Sequence, residues 1–110
     1  MIFLTEQASK IPMVWEIAAN ARFTINDIWH DLPENILIAT TKIKSLHGVC
    51  EANQHEVLIK LSEDYIRDPT GLYDTLSHEL LHACIGCQNS ESRNHQGEWL
   101  RRAKYLHLEV

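Results

Sequence analysis

The feature that most constrains this chain is the run Thr75-Leu76-Ser77-His78-Glu79-Leu80-Leu81-His82-Ala83, which contains an H-E-x-x-H spacing. On an α-helix, residues four apart lie one above the other on the same face. His78 and His82 can therefore each present an imidazole nitrogen to one ion, with Glu79 beside it. Two neutral imidazoles and an adjacent carboxylate suit a catalytic zinc site, where ligands sit at about 2.0–2.1 Å and a base accepts the proton of an activated water. The run must then be helical, and the rest of the chain must supply a third ligand and a frame to hold it.

The third ligand decides the type of site. In the pattern H-E-x-x-H-x-x-G-x-x-H the glycine and last histidine would fall at positions occupied here by Ile85 and Gln88, so that arrangement is excluded. A carboxylate ligand from a following helix would be Glu98. His95 lies three residues earlier, at the expected start of that helix, after a gap long enough for the chain to turn back over the site. His95 is the preferred third ligand, giving the set His78, His82 and His95 with Glu79 as the base. Zinc is the expected ion, although the same ligands accept Mn, Co or Ni.

The helix carrying the motif has clear limits. Asp68-Pro69-Thr70 offers a cap acceptor followed by Pro at the first helical position, and Gly86 is placed to end the helix. Projection at the helical period puts Leu72, Tyr73, Leu76, Leu80, Ala83 and Cys84 on one face, with Thr75, His78, Glu79 and His82 on roughly the opposite side. Residues 88–94 read as a polar loop without a packing signal. Trp99, Leu100, Ala103 and Leu106 then recur at helical spacing from near His95, with Arg101, Arg102 and Lys104 expected on a solvated face.

Upstream, Ile11, Val14, Trp15, Ala18 and Ala19 predict an amphipathic helix between Lys10 and Arg22, with Trp15 as a core aromatic. The breakers between Phe23 and Asn35, including Asn26, Asp27, Asp31 and Leu32-Pro33, predict a connector that tucks Ile28 and Trp29 inward and leaves His30 at the surface. Three β-type runs follow: Ile36 to Ile43, Gly48 to Ala52, and Glu56 to Leu61, the last two joined by a turn at Asn53-Gln54. The expectation is an α+β fold, a minimal zincin-like domain comprising residues 1–110. It would contain an N-terminal helix, a small three-stranded antiparallel sheet, the H-E-x-x-H helix and a C-terminal helix.

Bulk properties narrow the partners. A net charge of −5 and a pI near 5.7 give no support to a broad phosphate-binding surface. The apolar run Ile2-Phe3-Leu4 is too short for a signal peptide or a bilayer span, so an intracellular, cytoplasmic protein without a membrane partner is expected. Three cysteines fit a reducing compartment better than a disulfide framework, and the lone Cys84-Ile85-Gly86-Cys87 pair reads as packing.

With these residues in place, the chain resembles the SprT-like zinc metallopeptidases. The carriers of the resemblance are His78-Glu79-Leu80-Leu81-His82-Ala83, then His95-Gln96-Gly97-Glu98-Trp99, with Gly48-Val49-Cys50 and Val57 to Ser62 upstream. Here Gly falls two residues after the third histidine rather than directly after it. The resemblance spans about Ile36 to Leu106 and implies Zn²⁺ held by His78, His82 and His95, Glu79 as general base, and a protein or peptide substrate. Glu98 and Trp99 are expected to brace the third ligand. Tyr65, Tyr73, Tyr105 and His107 are the candidates for oxyanion stabilisation. Many members of the family carry a Cys-rich ribbon or DNA-binding extensions beyond this region, and no such segment follows before Val110. Nucleic acid is therefore a partner by resemblance alone. The alternative function is a non-catalytic module of the same fold, stapled by zinc and closed by a fourth protein ligand such as Glu91, Glu98 or a Cys.

Overall fold

A computed structural model describes residues 1–42, 48–52, 55–63, 68–86 and 89–108. Along these residues the elements are β1 (Ile2–Leu4), α1 (Glu6–Ser9), α2 (Val14–Trp29), β2 (Asn35–Thr41), β3 (Gly48–Ala52), β4 (Glu56–Ser62), α3 (Pro69–Ile85), α4 (Ser90–Arg93) and α5 (Gly97–Tyr105). The α+β class matches the expectation. The sheet differs in detail: it has four strands in the order β1-β2-β4-β3, and only the β3–β4 pair is antiparallel. β2 runs parallel to β4 with Ile36 opposite Val57 and Ile38 opposite Ile59, and β1 adds in parallel outside β2. Side-chain alternation specifies which face of a strand is buried and says nothing about the direction of its neighbour. That is why the parallel pairing and the three-residue β1 were not read from the sequence.

Ile36, Ile38, Val57, Ile59 and Leu61 are buried from β2 and β4 and join Val14, Ile17, Ala18, Ala21 and Ile25 of α2 and Leu72, Leu76 and Leu80 of α3 in one core. The sheet thus has one face covered by helices, while Leu37 on the other face is 39% exposed. Several expectations for the N-terminal region are corrected. α2 starts at Val14 rather than near Lys10 and continues through Phe23, Asn26 and Asp27 to Trp29, stopping where His30 takes a left-handed conformation (φ 59°). Asn and Asp lower helix propensity by only tenths of a kcal/mol, and burial of Ile25 on the core face outweighs that. Trp15 is 52% exposed and is not a core residue. Of the two residues expected to turn inward, Trp29 packs against the core, whereas Ile28 is largely exposed.

α3 begins as its sequence requires. The Asp68 carboxylate accepts a hydrogen bond from the Gly71 N–H at 2.7 Å, Pro69 occupies the first turn, and Gly86 ends the helix with φ 111°. Its burial is broader than a single stripe: Ser77, Glu79 and Leu81 are buried along with the apolar face. The separation of Glu79 from the packed side is therefore corrected, because β3 crosses that side of the helix. Gly48 is the residue that permits the crossing. A Cβ there would lie 3.2 Å from Thr75 Cγ2 and 3.3 Å from the Lys60 carbonyl oxygen, both tight, and 3.4 Å from Glu79 Cγ, so a larger side chain would press on Thr75 and the β4 backbone beside the carboxyl-bearing stem.

α5 is fixed from outside by Arg102. Its guanidinium reaches Asp31 at 3.0 Å and stacks 4.8 Å from the Trp29 ring centre. With its side chain only 12% exposed, Arg102 is a structural tie rather than a member of a solvated face. Cys84 lies beside the same pair. Burial, reinforced by Asp31, holds its thiol well above the ordinary range, which accords with the packing role expected of it. Cys87 and the Asn53-Gln54 turn lie outside the described residues. No described helix is long and apolar enough to cross a membrane.

Candidate metal centre

α3 places His78 and His82 one turn apart, and the segment after it returns to bring His95 against both. The three Nε2 atoms form a nearly equilateral triangle: 3.2 Å from His78 to His82, 3.2 Å from His82 to His95, and 3.1 Å from His95 to His78. Four ligands at zinc–nitrogen distances around a tetrahedral ion would be about 3.3–3.4 Å apart. The triangle therefore fits a small divalent cation. The donor chemistry agrees, since three imidazole nitrogens facing one another cannot all carry protons and one cation satisfies all three lone pairs. Among the described residues, these three histidines are the group of His, Cys, Asp and Glu side chains able to hold a metal ion.

His82 is held by a residue the sequence did not single out. Ser92 is fully buried, and its hydroxyl lies 2.9 Å from His82 Nδ1. In the tautomer that leaves Nε2 bare for a metal, Nδ1–H donates to Ser92 Oγ. The Ser92 N–H in turn donates to the Asn89 side-chain oxygen at 3.1 Å, and the His95 N–H donates to the Ser92 carbonyl at 3.0 Å. The segment expected as a loop thus contains a short helix whose buried serine links two of the three histidines. A serine within a polar run gives no periodic signal, and only proximity to His82 reveals it. Ser92→Ala is expected to weaken zinc binding about 10–100-fold, as loss of an outer-shell partner does; competition with a fluorescent chelator would measure it.

Trp99 forms the floor. It has no solvent exposure, and its ring centre lies 4.8 Å from that of His78, 5.1 Å from His82 and 4.5 Å from His95. It stacks on His82 at 21° and meets the other two rings edge-on. The expectation that Trp99 braces the third histidine is met and widened to all three. Glu98 behaves otherwise. Its carboxylate faces Arg101 at 3.5 Å and Arg102 at 3.8 Å, so the structure engages it away from the histidines, neither as ligand nor as brace.

His95 precedes α5 rather than beginning it, in a left-handed conformation with φ 57°, and Gly97 opens the helix with the same φ. Two such residues in close succession turn the chain sharply between Ser92 and Trp99, which lets an imidazole and an indole from one short segment reach the same cluster.

Glu79 lies on the inner side of the cluster, with Oε1 3.7 Å from His78 Nε2 and only 6% of the residue exposed. Burial raises its pKa from the ordinary carboxylate value to about 7. Burial also lowers that of His82 to about 4, with further lowering from His78 and His95, so the ring is neutral at physiological pH as a metal ligand must be. The histidines and Glu79 line an open cleft whose other walls are Gly48, Val49 and Cys50 of β3 and Arg93 of α4. Of the candidates for oxyanion stabilisation, Tyr73, Tyr105 and His107 do not line this cleft, and Tyr65 lies outside the described residues.

Fold and site together define an α+β domain in which an H-E-x-x-H helix and a third histidine form a cluster that could hold a metal ion. A family model described as the SprT-like family matches residues 18–108, and the chain belongs to that family. No curated protein and no solved structure matches the chain significantly.

Proposed function

We propose that this protein is a zinc-dependent endopeptidase, with His78, His82 and His95 as the metal ligands and Glu79 as the general base. The observation that carries the reading is the pairing of an open three-histidine triangle with a buried carboxyl poised near neutral pH. Zinc held there would supply Lewis acidity toward a water and the scissile carbonyl. Glu79 would accept the proton of that water and pass it to the leaving amine, a role suited to a group whose pKa lies close to the working pH. Its burial against β3 fixes the carboxyl's position, and Gly48 leaves room for the stem.

β3 is the terminal strand of the sheet, paired on one side by β4. Its other side borders the cleft through Gly48, Val49 and Cys50. An extended peptide adding to that edge would bring its carbonyls alongside the histidines, with main-chain hydrogen bonds giving affinity largely independent of sequence. The second reading, a zinc-stapled module without catalysis, draws support from Trp99 beneath the cluster: an ion bound there would lock α3 to α5. Among the described residues no fourth side chain joins the three histidines, which favours the catalytic reading, since structural zinc is enclosed by four protein ligands.

The test is incubation of the zinc-loaded chain with unfolded protein substrates, with and without single-stranded DNA. Cleavage that stops on chelation and returns with zinc is the expected result. A stoichiometrically loaded protein that cleaves none of them would refute the proposal.

A further inference from the structure

Among the described residues, the cleft lined by the histidines is also lined by one cationic side chain. That side chain is Arg93, which shares the lining with Gly48, Val49 and Cys50 of β3. The three other arginines among the described residues are engaged: Arg22 donates to the Glu34 carbonyl at 3.0 Å, Arg101 faces Glu98, and Arg102 is bound to Asp31. Arg93 has no ion pair or side-chain hydrogen bond among the described residues, although the chain is acidic overall. Its backbone is not loose. The Arg93 N–H donates to the Asn89 carbonyl at 2.9 Å, and it follows directly on Ser92, which is buried against His82. Two residues further on is His95. The guanidinium thus projects from a backbone anchored on both sides to the metal-binding histidines.

We infer that Arg93 is a specificity-determining residue that recognises a carboxylate on the substrate, close to the scissile bond. The inference rests on the peptidase reading of the cleft and adds a substrate class to it. A planar guanidinium matches a carboxylate in a bidentate geometry. A carboxylate entering here meets an unpaired cation beside a site that binds a second, divalent one, within a protein whose net charge repels anions elsewhere. The carboxylate could be an Asp or Glu side chain or the free C-terminus of a peptide, and the two sources are separable.

The experiment measures binding by fluorescence anisotropy on the zinc-loaded full chain carrying Glu79→Gln, so that hydrolysis does not enter. The probes are extended peptides identical except for Glu, Gln or Lys at each position in turn, each made with a free and with an amidated C-terminus. At one or more positions the Glu peptide is expected to bind about five- to tenfold tighter than its Gln counterpart, between the worth of an exposed ion pair and that of a bidentate one. If the C-terminus is the ligand, the free form gains this factor over the amide. Adding Arg93→Gln should erase the preference, and Arg93→Glu should transfer it to the Lys peptides, with unchanged zinc stoichiometry showing that the site is intact. Equal binding of Glu, Gln and Lys peptides, or a preference that survives Arg93→Gln, overturns the inference. Unselective cleavage of unfolded proteins by the wild-type chain, together with equal binding, would overturn it while leaving the peptidase reading standing. Failure of every peptide to bind would overturn both.

Discussion

Glu79→Gln is expected to retain zinc and to slow peptide hydrolysis by about 10²–10⁴-fold, the usual contribution of a positioned general base. Gln keeps the shape of the side chain between α3 and β3, so the histidine triangle should be undisturbed and zinc stoichiometry unchanged. Retention of wild-type activity in this variant would remove Glu79 from the mechanism. The same substitution has a second signature in the metal-free protein. Because Glu79 is raised to about 7, the folded state holds a proton between roughly pH 4.5 and 7 that the unfolded chain has released. Stability associated with this group is therefore present below about pH 4.5 and lost as pH rises through 7. Gln does not titrate, so chemical denaturation should find the two proteins alike near pH 4.5 and the variant more stable at pH 8, by up to about 3 kcal/mol. His82 acts in the opposite direction: with its folded value lowered to about 4, the metal-free protein loses stability as pH falls from about 6.5 toward 4, in wild type and variant equally.

Trp99→Ala is the substitution expected to cost most in stability, about 3–5 kcal/mol for a fully buried aromatic. That is a large share of what a domain of this size possesses. The loss should extend to function, because the indole is the common floor of all three imidazoles; zinc affinity should fall along with the melting temperature. Trp99→Phe provides the control. Phe keeps an aromatic face under the histidines and removes an indole N–H that is buried without a hydrogen-bond partner. It should therefore recover most of the stability and the zinc binding. A Trp99→Ala protein with wild-type melting temperature and zinc affinity would show that the ring packing seen here contributes little.

Much of the histidine cluster was legible in the sequence because its spacing is local. His78 and His82 are fixed by one helical turn, and that helix is fixed by Asp68, Pro69 and Gly86. His95 was reachable because Trp99 and Ala103 announce the helix that follows it. What was not legible depends on residues distant in sequence. Ser92 looks like any polar loop residue until His82 is brought 2.9 Å from it. Glu79 seemed to lie away from the packed side because no helical projection reveals that β3 will cross there, with Gly48 set against Thr75 and Glu79. Arg102 looked solvated until Asp31, from the other end of the chain, was placed beside it. The same limit accounts for the sheet: residues Ile36 to Thr41 declare a strand, while their parallel alignment with β4 is decided by long-range pairing. Trp15 shows the opposite error, a helical period followed one position too far round the helix onto its exposed face.

Three histidines holding a zinc ion would leave one coordination position open for chemistry. X-ray absorption spectroscopy at the zinc edge, on protein carrying one zinc per chain, reads that coordination shell. Three imidazole nitrogens and one light solvent ligand at about 2.0–2.1 Å are expected, with one imidazole lost in His95→Ala. A shell closed by a sulfur or a fourth side chain, or a spectrum unaltered in His95→Ala, would contradict this.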